Sequence, residues 1–218
     1  MKRVICSAED ANTQARRFRR FYLASSSPRR RDLLQRAGAR FDLLPFRSGV
    51  RGDAEIEESI RGGEAAENYV LRLARAKAEH GERLLVWRRL PLRPVLSADT
   101  ALEVDGEIIG KPVSEAHARD ILRRLSGREH RVLTAVALVN SGRLETALSI
   151  SEVCFRTLCA AEIRRYVASG EAMDKAGAYG IQGRAALFIA RINGSDTGIM
   201  GLPMCETGVL LQRFGYGW

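Results

Sequence analysis

Residues 94–112 of the chain are Pro94-Val95-Leu96-Ser97-Ala98-Asp99-Thr100-Ala101-Leu102-Glu103-Val104-Asp105-Gly106-Glu107-Ile108-Ile109-Gly110-Lys111-Pro112. The apolar run before Asp99 predicts a buried strand that ends at this carboxylate, and the Asp-Gly pair that follows predicts a tight hairpin. Because open α/β sheets bind ligands at the carboxyl ends of their strands, we expect Asp99 to lie in a binding site. The hairpin can return Lys111 to the same place.

A carboxylate and an ammonium group at one strand end suit metal-assisted chemistry on phosphate groups. The alternative is that Asp99 only caps a loop and that Lys111 is a solvated turn residue. This segment by itself leaves both interpretations open.

The composition indicates one folded domain, or one domain with two lobes. The chain has 218 residues, of which 45% are hydrophobic and 28% are charged. Its apolar runs are shorter than the ~20 residues that a membrane span needs, so we expect no membrane association. The four cysteines lack the paired spacing of a zinc site, and neither zinc nor a disulfide framework is expected. Reduced thiols are typical of a cytoplasmic protein, which is the predicted location.

The net charge of +9 is concentrated near the N-terminus. Residues 1–31 contain nine Lys or Arg and two acids, whereas the remainder contains 26 and 24. A nearly neutral body argues against a nucleic-acid-binding domain. Residues 1–20 lack hydrophobic periodicity and the apolar region of a signal peptide, so we predict a disordered basic extension before a domain at residues 21–218. A nucleic-acid-binding arm is the alternative for this extension.

The segment after the first predicted strand has the residues of an anion site. The serines of residues 25–27 and Pro28 predict the start of a helix. Arg29, Arg30 and Arg31 fall in its first turn, where the positive end of the helix disfavours cations unless an anion is bound. Backbone N–H groups, hydroxyls and guanidinium groups together can bind phosphate, although a solvated arginine cluster is the alternative.

Two later segments also contain candidate site residues. Lys77 shares the apolar face of the second predicted helix, so it either extends along that face to water or reaches a site, and periodicity favours the first. Three glycines in residues 174–183 predict a binding loop. The predicted elements are strands at 20–24, 94–98, 130–139, 143–158 and 187–192, helices at 29–37, 64–79, 115–125, 160–168 and 202–214, and a loop at 42–63.

Taken together, these segments resemble the Maf family of nucleotide pyrophosphatases, the septum-formation proteins, over residues 22–214. Each motif is weak alone, but their order and spacing are specific. The matching motifs are Leu23-Ala24-Ser25-Ser26-Ser27-Pro28-Arg29-Arg30, Ser97-Ala98-Asp99-Thr100, Gly110-Lys111-Pro112, Leu125-Ser126-Gly127, Asp174-Lys175-Ala176-Gly177-Ala178-Tyr179-Gly180-Ile181-Gln182-Gly183, Gly194-Ser195 and Gly201-Leu202-Pro203.

The resemblance implies an α/β fold, with a mixed twisted sheet, flanking helices and two lobes around a central cleft, as in Maf and ITPase-like proteins. It implies hydrolysis of a nucleoside triphosphate to the monophosphate and pyrophosphate with a divalent cation, Mg²⁺ or Mn²⁺, by a protein that often forms a homodimer. The roles that it implies are general base or metal ligand for Asp99, metal binding for Glu58, neutralisation of phosphate charge for Lys77 and Lys111, and triphosphate binding for Ser25, Arg30 and Lys175.

Arg29, Thr100 and Gln182 resemble the dTTP/UTP branch of the family. A glutamine amide can pair with both the donor and the acceptor on a pyrimidine edge, which gives this choice a chemical reason. Hydrolysis of 7-methyl-GTP or another non-standard nucleotide is the alternative. A division regulator that only binds nucleotide or DNA is the alternative from another class, and the intact set of catalytic residues argues against it.

Overall fold

A mixed β-sheet forms the centre of the protein. The computed structural model describes residues 20–47, 53 and 56–216. Within these ranges the sheet has seven strands in the order β2-β1-β3-β5-β6-β7, with β4 paired to β3. The strands are Phe21–Leu23 (β1), Phe41–Leu43 (β2), Val95–Val104 (β3), Glu107–Ile109 (β4), Glu129–Asn140 (β5), Arg143–Phe155 (β6) and Ile189–Asn193 (β7). The helices are Pro28–Arg36 (α1), Ala66–Trp87 (α2), Glu115–Leu125 (α3), Ala160–Ala168 (α4), Asp196–Ile199 (α5) and Met204–Arg213 (α6).

The direction of strand pairing changes at β3, and this change positions Asp99. Strand β1 pairs in parallel with β3, and Leu23 at its end is opposite Leu96. Beyond this point β3 remains extended because it pairs antiparallel with β5, where Asp99 is opposite Ala135. The prediction that the strand ends at Asp99 is therefore wrong. The carboxylate lies in the middle of β3, just past the end of its parallel part.

The apolar core divides into three clusters around the sheet. Helix α2 packs on one face through residues such as Ala74 against Val95. The other face carries two clusters, one under α1 and α6 that includes Leu96, and one under α3 and α4 that includes Leu102. Leu96 and Leu102 are six positions apart on one strand and therefore point to the same face. The two clusters form the cores of two lobes, as the resemblance implied.

Two further predicted elements differ from the structure. Helix α2 continues to Trp87 instead of ending at residue 79. It passes through Gly81, where a Cβ atom would be 2.8 Å from Val95 Cγ1, so this glycine allows close packing of helix on sheet. The strand β2 lies partly inside the predicted loop 42–63. The sequence did not predict it because three residues are too few to show an alternating pattern. Apart from β3, the other predicted helices and strands are confirmed, with ends that differ by at most three residues.

The predicted basic extension lies outside the described residues, except for Arg20. Its guanidinium group pairs with the carboxylate of Asp42 beside the sheet. In the part of the chain that the structure describes, no helix is both long and apolar enough to cross a membrane. Among the described residues, Cys154, Cys159 and Cys205 form no disulfide bond.

Candidate active site

A cleft of about 610 Å³ lies between the two lobes. Residues from both lobes line it, so a ligand bound there would contact both. The ten site residues that the family resemblance implies are among the residues that line this cleft, namely Ser25, Arg29, Arg30, Glu58, Lys77, Asp99, Thr100, Lys111, Lys175 and Gln182.

Lys77 joins two carboxylates at the floor of the cleft. Its Nζ atom lies 2.6 Å from Asp99 Oδ1 and 2.6 Å from Glu58 Oε1. Burial raises the pKa of Asp99, while the charge and hydrogen bond of Lys77 act in the opposite direction. The helical periodicity favoured a side chain of Lys77 that extends along the helix to water. This prediction is wrong, because Lys77 points into the site.

The pleat of β3 explains why Lys77 and Asp99 meet. Alternate residues of a strand face the same side, so Ser97 and Asp99 both face α2. The hydroxyl of Ser97 is buried and donates a hydrogen bond of 2.6 Å to the carbonyl oxygen of Ala74. This bond holds α2 close to the strand. Lys77 lies three residues after Ala74 on the same side of the helix, which brings its ammonium group to Asp99.

The loop after β1 and the first turn of α1 form one wall of the cleft. The backbone N–H of Ser27 donates to Ser25 Oγ at 3.2 Å, which folds the loop back on itself. Pro28 begins the helix. Arg29 Nη1 lies 3.7 Å from Asp174 Oδ2, so this arginine reaches the second lobe. Arg31, the third arginine of the predicted anion site, is exposed and is not among the lining residues.

Arg30 uses most of its hydrogen-bond donors on partners within the chain. Its Nε donates to the carbonyl oxygen of Gly201 and its Nη1 donates to that of Ala98, both at 2.7 Å. Longer bonds of 3.3 Å and 3.2 Å reach Ser25 Oγ and Thr100 Oγ1. Four of the five N–H groups of this guanidinium are thus engaged, and the residue links the loop after β1 to β3. Burial lowers the pKa of Arg30, and Asp99 opposes this effect.

The second lobe contributes the hairpin and the glycine-rich loop. Lys111 is exposed in the cleft wall, and the backbone N–H of Gly177 donates to the carbonyl oxygen of Gly110 at 3.1 Å. Gly177 has φ +71°, and a Cβ atom there would be 2.3 Å from Leu102 Cδ1. The loop can therefore approach β3 only with glycine at this position.

Lys175 and Gln182 lie at the two ends of this loop. Lys175 Nζ donates to the carbonyl oxygen of Glu171 at 2.6 Å and also contacts the carboxylate of Asp174. The side chain of Gln182 is exposed at the edge of the cleft. Both residues line the cleft, at opposite ends of the loop.

A buried pair that the sequence did not indicate anchors the same loop. His130 Nε2 lies 2.7 Å from the hydroxyl of Tyr179, a residue of the glycine-rich loop. Burial lowers the pKa of His130 to about 4 and raises that of Tyr179. The histidine is therefore neutral near pH 7. It lies 49 residues before its partner, and no sequence spacing relates the two.

Residues 20–214 match the family model described as Maf-like protein. The chain belongs to the Maf-like protein family. The relatives of this Maf-like chain include a dTTP/UTP pyrophosphatase of Dechloromonas aromatica, 60% identical over 90% of this chain and 98% of that protein. Another of the same name, from Aromatoleum aromaticum, is 62% identical over 90% of this chain and 96% of the relative. A third, from Chromobacterium violaceum, is 51% identical over 90% and 96% of the two chains.

A solved structure, the Ham1 protein of Staphylococcus aureus, aligns with 89% of this Maf-like chain and 97% of its own length. The TM-score is 0.47 and the sequence identity is 14%. This similarity is too distant to support an inference. The family assignment rests on the family model and on the relatives of high identity.

Proposed function

We propose that this Maf-like protein hydrolyses dTTP and UTP to the monophosphate and pyrophosphate. The observation that carries the proposal is the Glu58–Lys77–Asp99 network. It lies in one cleft with the loop after β1, which contains Ser25, and with the start of α1. Relatives of 51% to 62% identity are named dTTP/UTP pyrophosphatase, which supports the choice of substrate. A buried carboxylate can act as the base of such a reaction, and the N-terminal end of a helix can bind the phosphate groups.

In the proposed reaction, a water molecule attacks the α-phosphorus of the nucleotide and pyrophosphate leaves. Asp99 either accepts the proton of this water or acts as a metal ligand, and in both roles its carboxylate is ionised. Lys77 and Lys111 neutralise the negative charge of the phosphate groups. Ser25, Arg30 and Lys175 position the triphosphate, with Arg30 acting through the loop that it holds. Positioning and charge neutralisation account for much of the catalysis of phosphoryl-type reactions.

We further propose that Mg²⁺ or Mn²⁺ takes part, with Glu58 and Asp99 as the residues that would hold it. Among residues 20–47, 53 and 56–216 no group of three or more His, Cys, Asp and Glu side chains could hold a metal ion. Two carboxylates beside a phosphate site still suit Mg²⁺, which commonly binds one or two carboxylates together with phosphate oxygens and water. When bound, the ion supplies further neutralisation of the phosphate charge.

We assign the choice of base to Gln182, Thr100 and Arg29. The exposed amide of Gln182 can offer a donor and an acceptor to the edge of uracil or thymine. Thr100 Oγ1 accepts a hydrogen bond of 3.2 Å from Arg30 Nη2. This bond connects the hydroxyl of Thr100 to the wall of the cleft that α1 forms. A glutamate in place of Gln182 would offer acceptors only, which suits the cationic base of 7-methyl-GTP.

The test is release of pyrophosphate from dTTP, UTP, CTP, ATP, GTP and 7-methyl-GTP, with Mg²⁺, with Mn²⁺ and with EDTA. We expect metal-dependent turnover of dTTP and UTP ahead of the purine nucleotides, and loss of turnover with EDTA. A preference for 7-methyl-GTP would preserve the chemistry and overturn the assignment of the base pocket. A folded sample without turnover would favour the nucleotide- or DNA-binding regulator.

The homodimer and the cytoplasmic location stay predictions from the sequence. We propose that the protein is a homodimer, as its resemblance to the family implies. Size-exclusion chromatography with light scattering measures the mass in solution directly. The mass of one chain, 24.1 kDa, would contradict the proposal.

A further inference from the structure

Two side chains of α2 hold the backbone on both sides of Glu58. Arg72 Nη1 donates to the carbonyl oxygen of Glu57 at 3.2 Å, and its Nη2 donates to that of Ser59 at 3.0 Å. The hydroxyl of Tyr69 donates to the carbonyl oxygen of Glu58 at 3.0 Å. Three successive carbonyl groups therefore accept hydrogen bonds from one helix, an arrangement that fixes the path of this segment.

Arg72 is itself held in place. Its Nε and Nη2 atoms donate to the two carboxylate oxygens of Glu64 at 2.8 Å and 2.6 Å. The Arg72 and Glu64 side chains are only 20% and 10% exposed, and the guanidinium lies over the ring of Tyr69, 5.5 Å from its centroid. A planar guanidinium can bind a carboxylate and two carbonyl groups at once, which a lysine cannot do with the same geometry.

Glu58 needs such support because it lies on a loop. Residues 56–61 have no helix or strand, and the side chain of Glu58 is 57% exposed. A carboxylate on an unsupported loop would lose conformational entropy each time it entered the site. Here α2 holds the backbone of Glu58 through Tyr69 and Arg72, and the same helix binds its carboxylate through Lys77. One helix thus fixes the position of both the backbone and the carboxylate of Glu58.

We propose that Arg72 is a positioning residue, which with Tyr69 holds the backbone of Glu58 so that its carboxylate stays at Lys77 and Asp99 during catalysis. The inference rests on the proposed function of the cleft. It assigns no contact between Arg72 and the substrate, so Arg72 acts only through Glu58.

A double-mutant cycle tests this dependence. The variants are Arg72→Met, Glu58→Gln and the double variant, each assayed for dTTP hydrolysis over a range of Mg²⁺ concentrations, with enough enzyme to measure slow turnover. We expect Arg72→Met to lower kcat or raise the Mg²⁺ concentration at half-maximal rate by about 10- to 100-fold. In the Glu58→Gln background the same change should have an effect of less than about twofold, because the carboxylate that Arg72 positions is absent.

The matched control is Arg131→Met. Like Arg72, Arg131 pairs with a glutamate, in this case Glu67 of α2, but it is not among the residues that line the cleft. We expect its kcat and Mg²⁺ dependence to stay near those of the wild type. Thermal melting checks the folding of every variant. If Arg72→Met does not fold, Tyr69→Phe takes its place in the cycle, since it removes one hydrogen bond and keeps the ring.

Two results would overturn the inference while leaving the proposed function intact. One is wild-type kinetics for Arg72→Met. The other is an equal loss of activity with and without Glu58, which would indicate a purely structural role. A folded wild-type protein that hydrolyses no nucleotide would overturn the proposed function itself, and the inference with it.

Discussion

Lys77 Nζ lies 2.6 Å from Asp99 Oδ1, and this contact joins α2 to the middle of β3. Asp99 is only 7% exposed, so its carboxylate depends on the neighbouring cations for its charge. The same ammonium group reaches Glu58, which brings a loop residue to the buried pair. The contact therefore connects the stability of the core with the chemistry that we propose for the cleft.

We expect Asp99→Asn to lower kcat for dTTP by at least about 100-fold, because the amide can neither accept the proton of water nor replace a carboxylate ligand. Pyrophosphate release measures the effect, and circular dichroism checks the fold. Asp120→Asn, on the exposed face of α3, is the matched control and should keep wild-type activity. Near-normal turnover of Asp99→Asn would refute the assignment.

Removal of the ammonium group should destabilise the protein. We expect Lys77→Met to lower the free energy of unfolding by about 3 kcal/mol, since Asp99 then remains buried without this partner. The double variant Lys77→Met/Asp99→Asn should recover part of this loss, because it removes the unpaired charge. Urea unfolding of both variants measures the difference. Equal stability of the two would show that the ion pair does not account for the effect.

The base pocket can be tested at Gln182. We expect Gln182→Glu to reduce kcat/KM for dTTP and UTP more than for GTP or 7-methyl-GTP, because the carboxylate lacks the donor of the amide. Gln212→Glu, an exposed position on α6, makes the same change outside the cleft and should leave the substrate profile unchanged. An unaltered profile for Gln182→Glu would argue against its role in base choice.

The buried histidine predicts a dependence of stability on pH. Burial lowers the pKa of His130 to about 4 in the folded protein, whereas an exposed histidine titrates near 6.5. Between these values the unfolded chain binds a proton that the folded protein does not, so the free energy of unfolding falls as pH falls from about 6.5 to about 4. His130→Gln should show a shallower decrease in this range. Parallel curves for the two proteins in chemical denaturation would contradict the prediction.

Gly177 is expected to tolerate no larger residue. Gly177→Ala combines strain at φ +71° with a contact of 2.3 Å to Leu102 Cδ1. Gly106→Ala is the matched control, since its φ is +75° and nothing lies within 4 Å of the added Cβ atom. We expect Gly177→Ala to be less stable than Gly106→Ala by about 1 to 3 kcal/mol and to raise KM for dTTP. Equal melting temperatures of the two variants would show that the close approach of residue 177 to Leu102 does not affect stability.

Much of the site could be predicted because its residues lie in short segments with local signals. The serines before Pro28 and the glycines of residues 174–183 predict a helix start and a binding loop by themselves. The contacts of Arg30 could not be predicted in this way. Its partners Ala98 and Gly201 are 68 and 171 residues away, and they offer backbone carbonyls that any residue would provide.

The amino-acid sequence by itself determined the family, the order of most elements and ten candidate site residues, because periodicity, turn residues and motif order are local properties of the chain. Only the tertiary structure decided that Asp99 lies within β3, since the antiparallel partner β5 keeps the strand extended beyond it. It also decided that Lys77 points to Asp99 and that Arg72 holds the segment around Glu58. These contacts depend on how α2 packs against the sheet, and no local pattern encodes the distance between side chains on different elements.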